Sequence, residues 1–509
     1  MLADVGLETD ECLFSAALYP PIDTEFTIRV FRHQIPLMLM SYVGAAKAWL
    51  YAPILAVIPP TAFLVRFISL LIGVCTLLFF YKFVQKIFGN APAIAALVFL
   101  STDPIYLLTT KWDWGPVAIQ HLCLISSCYF LIRHYETRAI RYLAAGFLLL
   151  GIGLWDKALF CWSIVGLTIA AVTVCPREIR TVISRKAIAF ALMAFILGTL
   201  PLLAYNLKHS FATIRSNVHW SVDGLAGKAD TVRMSLEGSA LYGGITRGPG
   251  DGRIHQATTI IQDAIVWLDK AVGSPLKGLQ WYAFLLGIAA TPFLPRCERR
   301  IVTFALLFLI VAWSMMALTK NAGVSVHHTA LLWPMPQIVM ASLVALAVRR
   351  FYRFGVLAAV ALVTAIAIGN LLVLNTYYAD EIRNGATVAW TDAFDSFSLD
   401  LSVRHPDAVY LLDWGFADNL RLLHKGKIDL RIFSKPKTSE ERTFATAELR
   451  NGNLIYVTHT PGNIFFESDV KDFMTFVDEE GYRKDVLRTF SDRNGRPVIE
   501  LFRLVRVPK

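Results

Sequence analysis

Residues 61–88 read TAFLVRFISLLIGVCTLLFFYKFVQKIF. Their first twenty positions carry a single charge, Arg66, and Lys82 and Lys86 follow near the far end. Spanning a bilayer takes roughly 20 predominantly apolar residues. A helix that is apolar on every face belongs in lipid or in a large core. The stretch is therefore read as a membrane span, and it sets the reading of the rest of the chain.

Nine further stretches repeat the pattern: Ala91–Thr110, Gly115–Ile132, Ile140–Trp155, Ala158–Val174, Ala187–Tyr205, Leu279–Leu294, Ile301–Thr319, Thr329–Val348 and Gly355–Leu374. The charged pair Asp156-Lys157 divides what could otherwise be one kinked unit over 140–174. Of the 509 residues, 55% are hydrophobic and 17% charged, and the mean hydropathy is +0.50. A soluble chain carries about 25% charged residues, so the composition indicates a polytopic helical membrane protein. The net charge of +10 does not point to nucleic acid, because the basic residues fall in short loops between apolar blocks. The seven cysteines show no CxxC spacing, so neither a disulfide framework nor a zinc site is read from them.

Loop charge sets the orientation. Fifteen basic residues lie in one set of loops: Lys82 and Lys86; Arg133, Arg138 and Arg141; Arg177, Arg180, Arg185 and Lys186; Arg296, Arg299 and Arg300; Arg349, Arg350 and Arg353. The opposite short loops hold three, Lys111, Lys157 and Lys320. The first set is assigned to the cytoplasm. Residues 1–60, the long loop 206–278 and the tail 376–509 then lie outside, around a transmembrane catalytic domain over 61–375. The cell (inner) membrane is the expected location, with the site on the extracytoplasmic side. An outward N-terminus with no preceding span suggests that a first span is missing from the chain as given. Ile35–Pro59 is apolar but broken by Pro36, Lys47, Pro53 and Pro59, and reads as one or two amphipathic helices on the outer surface. In the tail, Ala408–Leu412 and Leu454–Val457 read as buried strands. Val486–Phe490 and Val498–Phe502 flank a hairpin turn at Asn494-Gly495. Glu440–Arg450 and Ser468–Glu480 read as helices. The tail is expected to be a small α/β or α+β domain.

Ionisable groups close to a membrane are costly and usually functional. Asp10 and Glu11 open the chain and could cap a short helix, since Phe14, Ala17 and Leu18 follow at helical spacing. Lys47 could snorkel or offer an ammonium to a lipid phosphate. Arg66 suits a phosphate or an acid partner. Lys111-Trp112-Asp113-Trp114-Gly115-Pro116 reads as a tight outer turn whose tryptophans fit the interfacial belt. Asp113 has no structural need of an acid there, whereas Asp103, deeper and before a proline, suits a cap. His327 and His328 stand at the mouth of a span and could bind a phosphate, a metal or a helix end. Neighbouring histidines on a helix point apart, which leaves at most one as a ligand. Asp413 ends a predicted strand and could be a turn residue or an acceptor contact. The glycine-rich 243–252 fits no phosphate-binding fingerprint and reads as a flexible loop or lid.

The order of these residues resembles the polyprenyl-phosphate-dependent glycosyltransferases of the C superfamily, the protein O-mannosyltransferase and aminoarabinose transferase types, including the bacterial family-39-like members. They carry an acidic pair in the first outer loop, an amphipathic Tyr…Lys segment, an arginine early in the next span and a second acid in the next outer loop. Asp10-Glu11, Tyr42…Lys47, Arg66 and Asp113 match that order over roughly the first 350 residues, and His327-His328…Trp333-Pro334 is similar to a late outer loop of the bacterial branch. The resemblance implies transfer of a sugar from a polyprenyl-phosphate donor to an acceptor hydroxyl, with inversion. Asp10, Glu11 and Asp113 would be catalytic. Lys47, Arg66, His327 and His328 would hold the donor phosphate, and Tyr42, Trp112, Trp114 and Asp413 would line the acceptor or lid side. The acceptor could be lipid, glycan or protein. Aminoarabinose-transferase-like members place a metal-associated acid just before the lysine; Ala46 stands there instead, so no cofactor is assigned with certainty. A secondary transporter or an O-antigen-ligase-like transferase would be the alternatives. The absence of a clear repeat and the scarcity of midplane charges argue against the transporter.

Overall fold

The computed structural model describes residues 5–20, 24–31, 33–247, 253–350, 352–436, 438–449 and 453–507. Each of the ten apolar stretches holds a helix. Among the described residues four helices are long and apolar enough to cross a membrane alone, and up to seven spans result if each bent pair counts as one. The protein is a multi-pass membrane protein.

The chain opens with α1, Thr9–Ala16, and a small antiparallel sheet of β1, Phe26–Val30, β2, His33–Met40, and β3, Val43–Gly44. Then α2, Ala46–Leu55, lies ahead of the first long span, α3, Ala62–Phe88. The expectation of helices throughout Ile35–Pro59 therefore holds only from Ala46. Pro36 has no N–H to give a helical turn, and the preceding segment supplies β1 as a partner, in register from Ile28 with Ile35 to Val30 with His33.

Thr61 caps α3 by accepting the Leu64 N–H, and Gly89 ends it. α4, Asn90–Ser101, and α5, Pro104–Lys111, meet at 56° where Pro104 interrupts the backbone ladder. Asp103 repairs that break. Its Oδ1 accepts the Tyr106 N–H, while Oδ2 accepts the side chains of Trp333, Gln280 and Gln337 at 2.8, 2.9 and 3.0 Å. Next come α6, Ala118–Thr137, α7, Ile140–Asp156, and α8, Cys161–Val174, with α7 packed between α6 and the helix Arg185–Lys208.

The basic loops converge on one end of the bundle. Lys86 pairs with Glu136, Arg138 donates to the Thr181 carbonyl, Arg300 pairs with Glu178, and Arg349 with Glu298. The other end carries α1, the small sheet and the C-terminal domain. That domain is a five-stranded sheet in the order β5-β4-β6-β8-β7, formed by β4, Ala408–Leu411, β5, Leu430–Ile432, β6, Leu454–His459, β7, Tyr482–Ser491, and β8, Pro497–Arg506. β4 runs parallel to β5 and β6, while β6, β8 and β7 pair antiparallel. Strand periodicity splits its core. Val409, Leu411, Ile455 and Val457 face the helices Ala393–Arg404 and Ala417–Leu423, and Ala408, Tyr410, Leu454 and Tyr456 face Phe473, Phe476 and Val477. Hydrogen bonds tie the domain to the rest of the chain. Asn419 donates to the Leu7 carbonyl at 2.7 Å, and the Asn494 side chain donates to the carbonyls of Arg253 and Arg383 at 2.6 and 2.8 Å.

Candidate active site

α1 carries two adjacent acids that face different partners. Glu8 caps the helix, accepting the Asp10 N–H at 2.6 Å, and Glu11 returns a bond from the Glu8 N–H at 3.1 Å. Glu11 is buried and takes the Arg66 guanidinium on both oxygens, at 2.6 and 2.8 Å. Two further Arg66 donors reach the Val5 and Gly6 carbonyls at 3.0 and 2.8 Å. Arg66 and Glu11 thus fasten α1 to α3.

Asp10, half-buried, points the other way, as successive residues on a helix must at about 100° per residue. Its Oδ2 accepts the Gly115 N–H at 3.1 Å. The carbonyl of the same glycine accepts Lys157 Nζ at 2.8 Å. Burial pushes the Asp10 carboxyl above its ordinary value, against the pull of Lys157, the Gly115 N–H and Lys47. Gly115 has φ +68°, and a Cβ there would meet the His327 ring at 2.3 Å, so the tight turn foreseen around it admits no side chain.

Lys47, on α2, is buried and forms an ion pair with Asp113 on that turn. Its ammonium also lies over the Phe14 and Tyr51 rings, at 4.8 and 5.2 Å from their centroids. Burial lowers the Lys47 pKa, while Asp156, Glu11 and Asp10 act to raise it. Lys157, beside the end of α7, is also buried and drawn below its usual range, to about 8, with Asp10 and Asp156 opposing. The two lysine segments are stitched together. Val43 bridges Lys157, the Ala158 N–H donates to the Tyr42 carbonyl at 2.9 Å, and Gly44 sits so close that a Cβ would lie 2.0 Å from the Trp155 carbonyl oxygen. Tyr42 stands half-buried at the rim, its hydroxyl held protonated by burial and by Asp10.

Trp114 continues the rim, edge-on to His327 with centroids 5.3 Å apart and to Trp390 at 5.5 Å. His327 bonds Ser325 through Nδ1 at 2.8 Å, and His328 accepts the Gly323 N–H through Nδ1 at 3.3 Å. The two rings lie 4.3 Å apart instead of pointing away from each other, because Val326–Thr329 is a single turn rather than a continuous helix. Trp112 is not an interfacial residue. It is fully buried, under the Lys111 ammonium and beside Trp390, because the turn sends Trp112 and Trp114 in opposite directions.

Asp413 lies apart from these groups. Burial works against its charge, but His459, the Phe465 and Phe466 N–H groups and its own neighbour Trp414 outweigh it and hold the carboxyl below the usual range. It organises the loop after β4, which leads into the helix Ala417–Leu423 that packs on α1. Of the glycine-rich segment 243–252, residues 248–252 lie outside the described residues. Among the described residues no three of His, Cys, Asp and Glu converge as a metal-binding set.

Asp10, Lys47, Asp113, Tyr42, Trp114 and His327 therefore meet at one end of the bundle around Gly115, with Glu11 and Arg66 behind them. Sequence reasoning missed Lys157, although a charged pair interrupting an apolar run over 140–174 was its signal.

The fold is shared with solved membrane-protein structures. The structure is similar to ArnT from Cupriavidus metallidurans bound to undecaprenyl phosphate, with a TM-score of 0.59 at 10% identity over 98% of this chain and 95% of that one. It is also similar to the apo state of that protein, with a TM-score of 0.57 at 11% identity over 98% and 94%. The Archaeoglobus fulgidus oligosaccharyltransferase in complex with Zn and sulfate matches with a TM-score of 0.50 at 13% identity, over 96% of this chain and 69% of that one. Residues 45–205 match the sequence profile of the dolichyl-phosphate-mannose-protein mannosyltransferase family. That segment runs from α2 through the helix Arg185–Lys208 and includes Lys47, Arg66, Asp113 and Lys157. No curated protein matches the chain in sequence.

Proposed function

We propose that this protein transfers a sugar from a polyprenyl phosphate to an acceptor hydroxyl, with inversion at the anomeric carbon, on the extracytoplasmic side of the cell membrane. The observation that carries this reading is the shared glycine. Asp10 accepts the Gly115 N–H and Lys157 donates to the Gly115 carbonyl, so a carboxylate and an ammonium are held in fixed relation by one residue.

In this mechanism Asp10 is the general base. The acceptor oxygen attacks the anomeric carbon opposite the phosphate, and Asp10 takes the hydroxyl proton. The bond from that carbon to the phosphate oxygen breaks, and its electron pair leaves with the polyprenyl phosphate. Lys47 and Lys157 meet the charge that builds on the leaving phosphate, in a buried setting where such interactions count for more than in water. Asp113 positions Lys47 through their ion pair. Glu11 and Arg66, which satisfy one another, hold α1 in place; His327, His328, Tyr42 and Trp114 border the opening where donor and acceptor enter. The ArnT relative was crystallised with undecaprenyl phosphate, which supports the donor class. The distribution of fifteen basic residues at the opposite end supports the sidedness.

The test is release of radiolabelled sugar from a polyprenyl-phosphate donor by purified protein in liposomes, with a membrane extract as acceptor source. Wild-type protein should liberate the label into acceptor, and Asp10→Asn should not. Equal transfer by both would reject the base assignment.

A further inference from the structure

Strand β5 closes one side of the outer sheet, and among the described residues β4 is its only strand neighbour. The Val409 N–H donates to the Asp429 carbonyl at 2.8 Å. Residues along a paired strand turn their N–H and C=O alternately to one side and the other, so those of Leu430 and Ile432 point to the free side. Ile432 is 71% exposed. An unpaired edge is a template for a further chain. Beside it the surface is hollow. A groove of about 840 Å³ opens between Phe433–Pro436, the helix Ser439–Glu448 and the helix Glu467–Glu479. Its floor is aromatic: the Phe433 ring lies 4.8 Å from Phe473 and 5.7 Å from Phe476, centroid to centroid. Exposed Phe444 stands on the helix Ser439–Glu448, which Arg442 ties to Glu479 and Glu480 at 2.9 and 2.7 Å. Three carboxylates line the groove, Glu440, Glu441 and Glu448, against one lysine, Lys435, which Asp472 already holds at 2.8 Å. Glu448 takes Tyr410 and Arg431, and Glu441 caps its own helix, whereas exposed Glu440 has no partner among the described residues.

These features converge on one kind of occupant. Free ladder groups are matched by an extended polypeptide, which repeats N–H and C=O at strand spacing as neither a sugar nor a lipid chain does. The aromatic floor suits an apolar side chain of that strand, and the acidic lining suits a cationic one. We propose that β5 and this groove form a docking site for a basic polypeptide segment, added at the sheet edge with an apolar side chain on Phe433 and a lysine or arginine at Glu440. The groove lies on the sheet face of Tyr410 and Tyr456, opposite the face covered by the helix Ala417–Leu423 that packs on α1. The proposal is therefore independent of the chemistry assigned around Gly115.

The experiment titrates full-length protein in nanodiscs against a fluorescein-labelled peptide, Lys-Thr-Phe-Val-Lys-Thr-Lys, which puts Phe and Lys on one face of a strand. Wild-type protein should bind it saturably. The same peptide with Glu in place of each Lys should bind about three-fold more weakly or worse. N-methylation at every second residue should weaken binding about ten-fold in one of its two registers, where it removes the donors that meet β5. Ile432→Pro removes a donor from the free side and leaves the ladder to β4 intact, so it should cost about ten-fold as well. Glu440→Lys, at an exposed position, should cost about three-fold and serves where Ile432→Pro fails to fold. The proposal is overturned if wild-type protein shows no saturable binding, if both N-methylated registers bind as well as the parent peptide, or if each folded variant binds as wild type does. Self-association of wild-type protein that Ile432→Pro abolishes would also overturn it, by giving the edge to a second copy of this chain.

Discussion

Replacing Asp10 by Asn and Glu11 by Gln separates chemistry from architecture at two adjacent residues. Asp10 has one described hydrogen bond, from the Gly115 N–H, and is half-open. Asn keeps its shape and can still accept that bond, but it cannot take a proton. Loss of a positioned general base costs about 10²–10⁴-fold in rate, or roughly 2.7–5.5 kcal/mol of barrier at 1.36 kcal/mol per decade. Glu11 is different. Its two oxygens hold a fully buried guanidinium, and removing one partner of such a pair destabilises a fold by about 3–5 kcal/mol. Glu11→Gln should therefore lower the thermal midpoint and the yield of folded protein while the folded fraction turns over within a few-fold of wild type. Asp10→Asn should keep the midpoint and lose the turnover. Radiolabelled sugar transfer normalised to folded protein by size-exclusion, paired with thermal unfolding in the same detergent, reads both quantities. Equal loss of normalised turnover in the two variants would refute the division of labour, as would near-normal transfer by Asp10→Asn.

In the proposed mechanism the deprotonated Asp10 is the active form, and burial raises its pKa, so the acid limb of the rate profile should fall as pH drops through a value above the ordinary carboxylate figure of about 3.9. A pH–rate profile checks this, and a limb at or below that figure would contradict it. Lys157→Met should raise the KM for donor by about ten-fold or more and lower kcat as well, as expected where a charged contact strengthens in the transition state; steady-state kinetics at saturating acceptor decides. Gly115→Ala should cost at least about 1–3 kcal/mol from the left-handed backbone, besides the clash with His327, and should displace Trp114; melting and tryptophan fluorescence would register both. Arg66→Met combined with Glu11→Gln should recover much of the stability lost by either change alone, since a buried pair replaced as a unit is often near neutral; a thermal double-mutant cycle that is additive would argue against the pairing.

The spans were legible because apolarity over 20 residues is a one-dimensional signal. The C-terminal hairpin was legible because Asn494-Gly495 sits between two strand-like runs. Lys47 and Asp113 were legible as charges without a local reason to exist. The division between Asp10 and Glu11 was not, since which of two neighbours faces Arg66 depends on how α1 docks, not on their identities. Lys157 was hidden by the same logic that found the spans, which treated Asp156-Lys157 as punctuation. The strand β2 was missed because an apolar run with a proline looks alike as a broken helix or as a strand until a partner is known, and β1 lies in a less apolar stretch.

The position of Asp10 depends on parts of the chain far from it. α1 has only eight residues, too short to hold a helical form in water by itself. Its capping box sets its start, Arg66 of the first span anchors one side, and the helix Ala417–Leu423 of the C-terminal domain packs on it, with Asn419 holding the Leu7 carbonyl and Leu422 sharing a core with Cys12, Ala16 and Tyr51. Tyr51 lies on the same helix as Lys47, one turn away, and donates to the Val65 carbonyl next to Arg66. One apolar cluster therefore fixes the segments that carry Asp10, Lys47 and Arg66 together. A displacement of about 1 Å at a reacting group can cost two orders of magnitude in rate. On that scale, and with Asp10 as the proposed base, the C-terminal domain would bear on turnover although none of its described side chains reaches Asp10 by a hydrogen bond, and Asp413, which shapes the loop leading into the helix Ala417–Leu423, would act through α1.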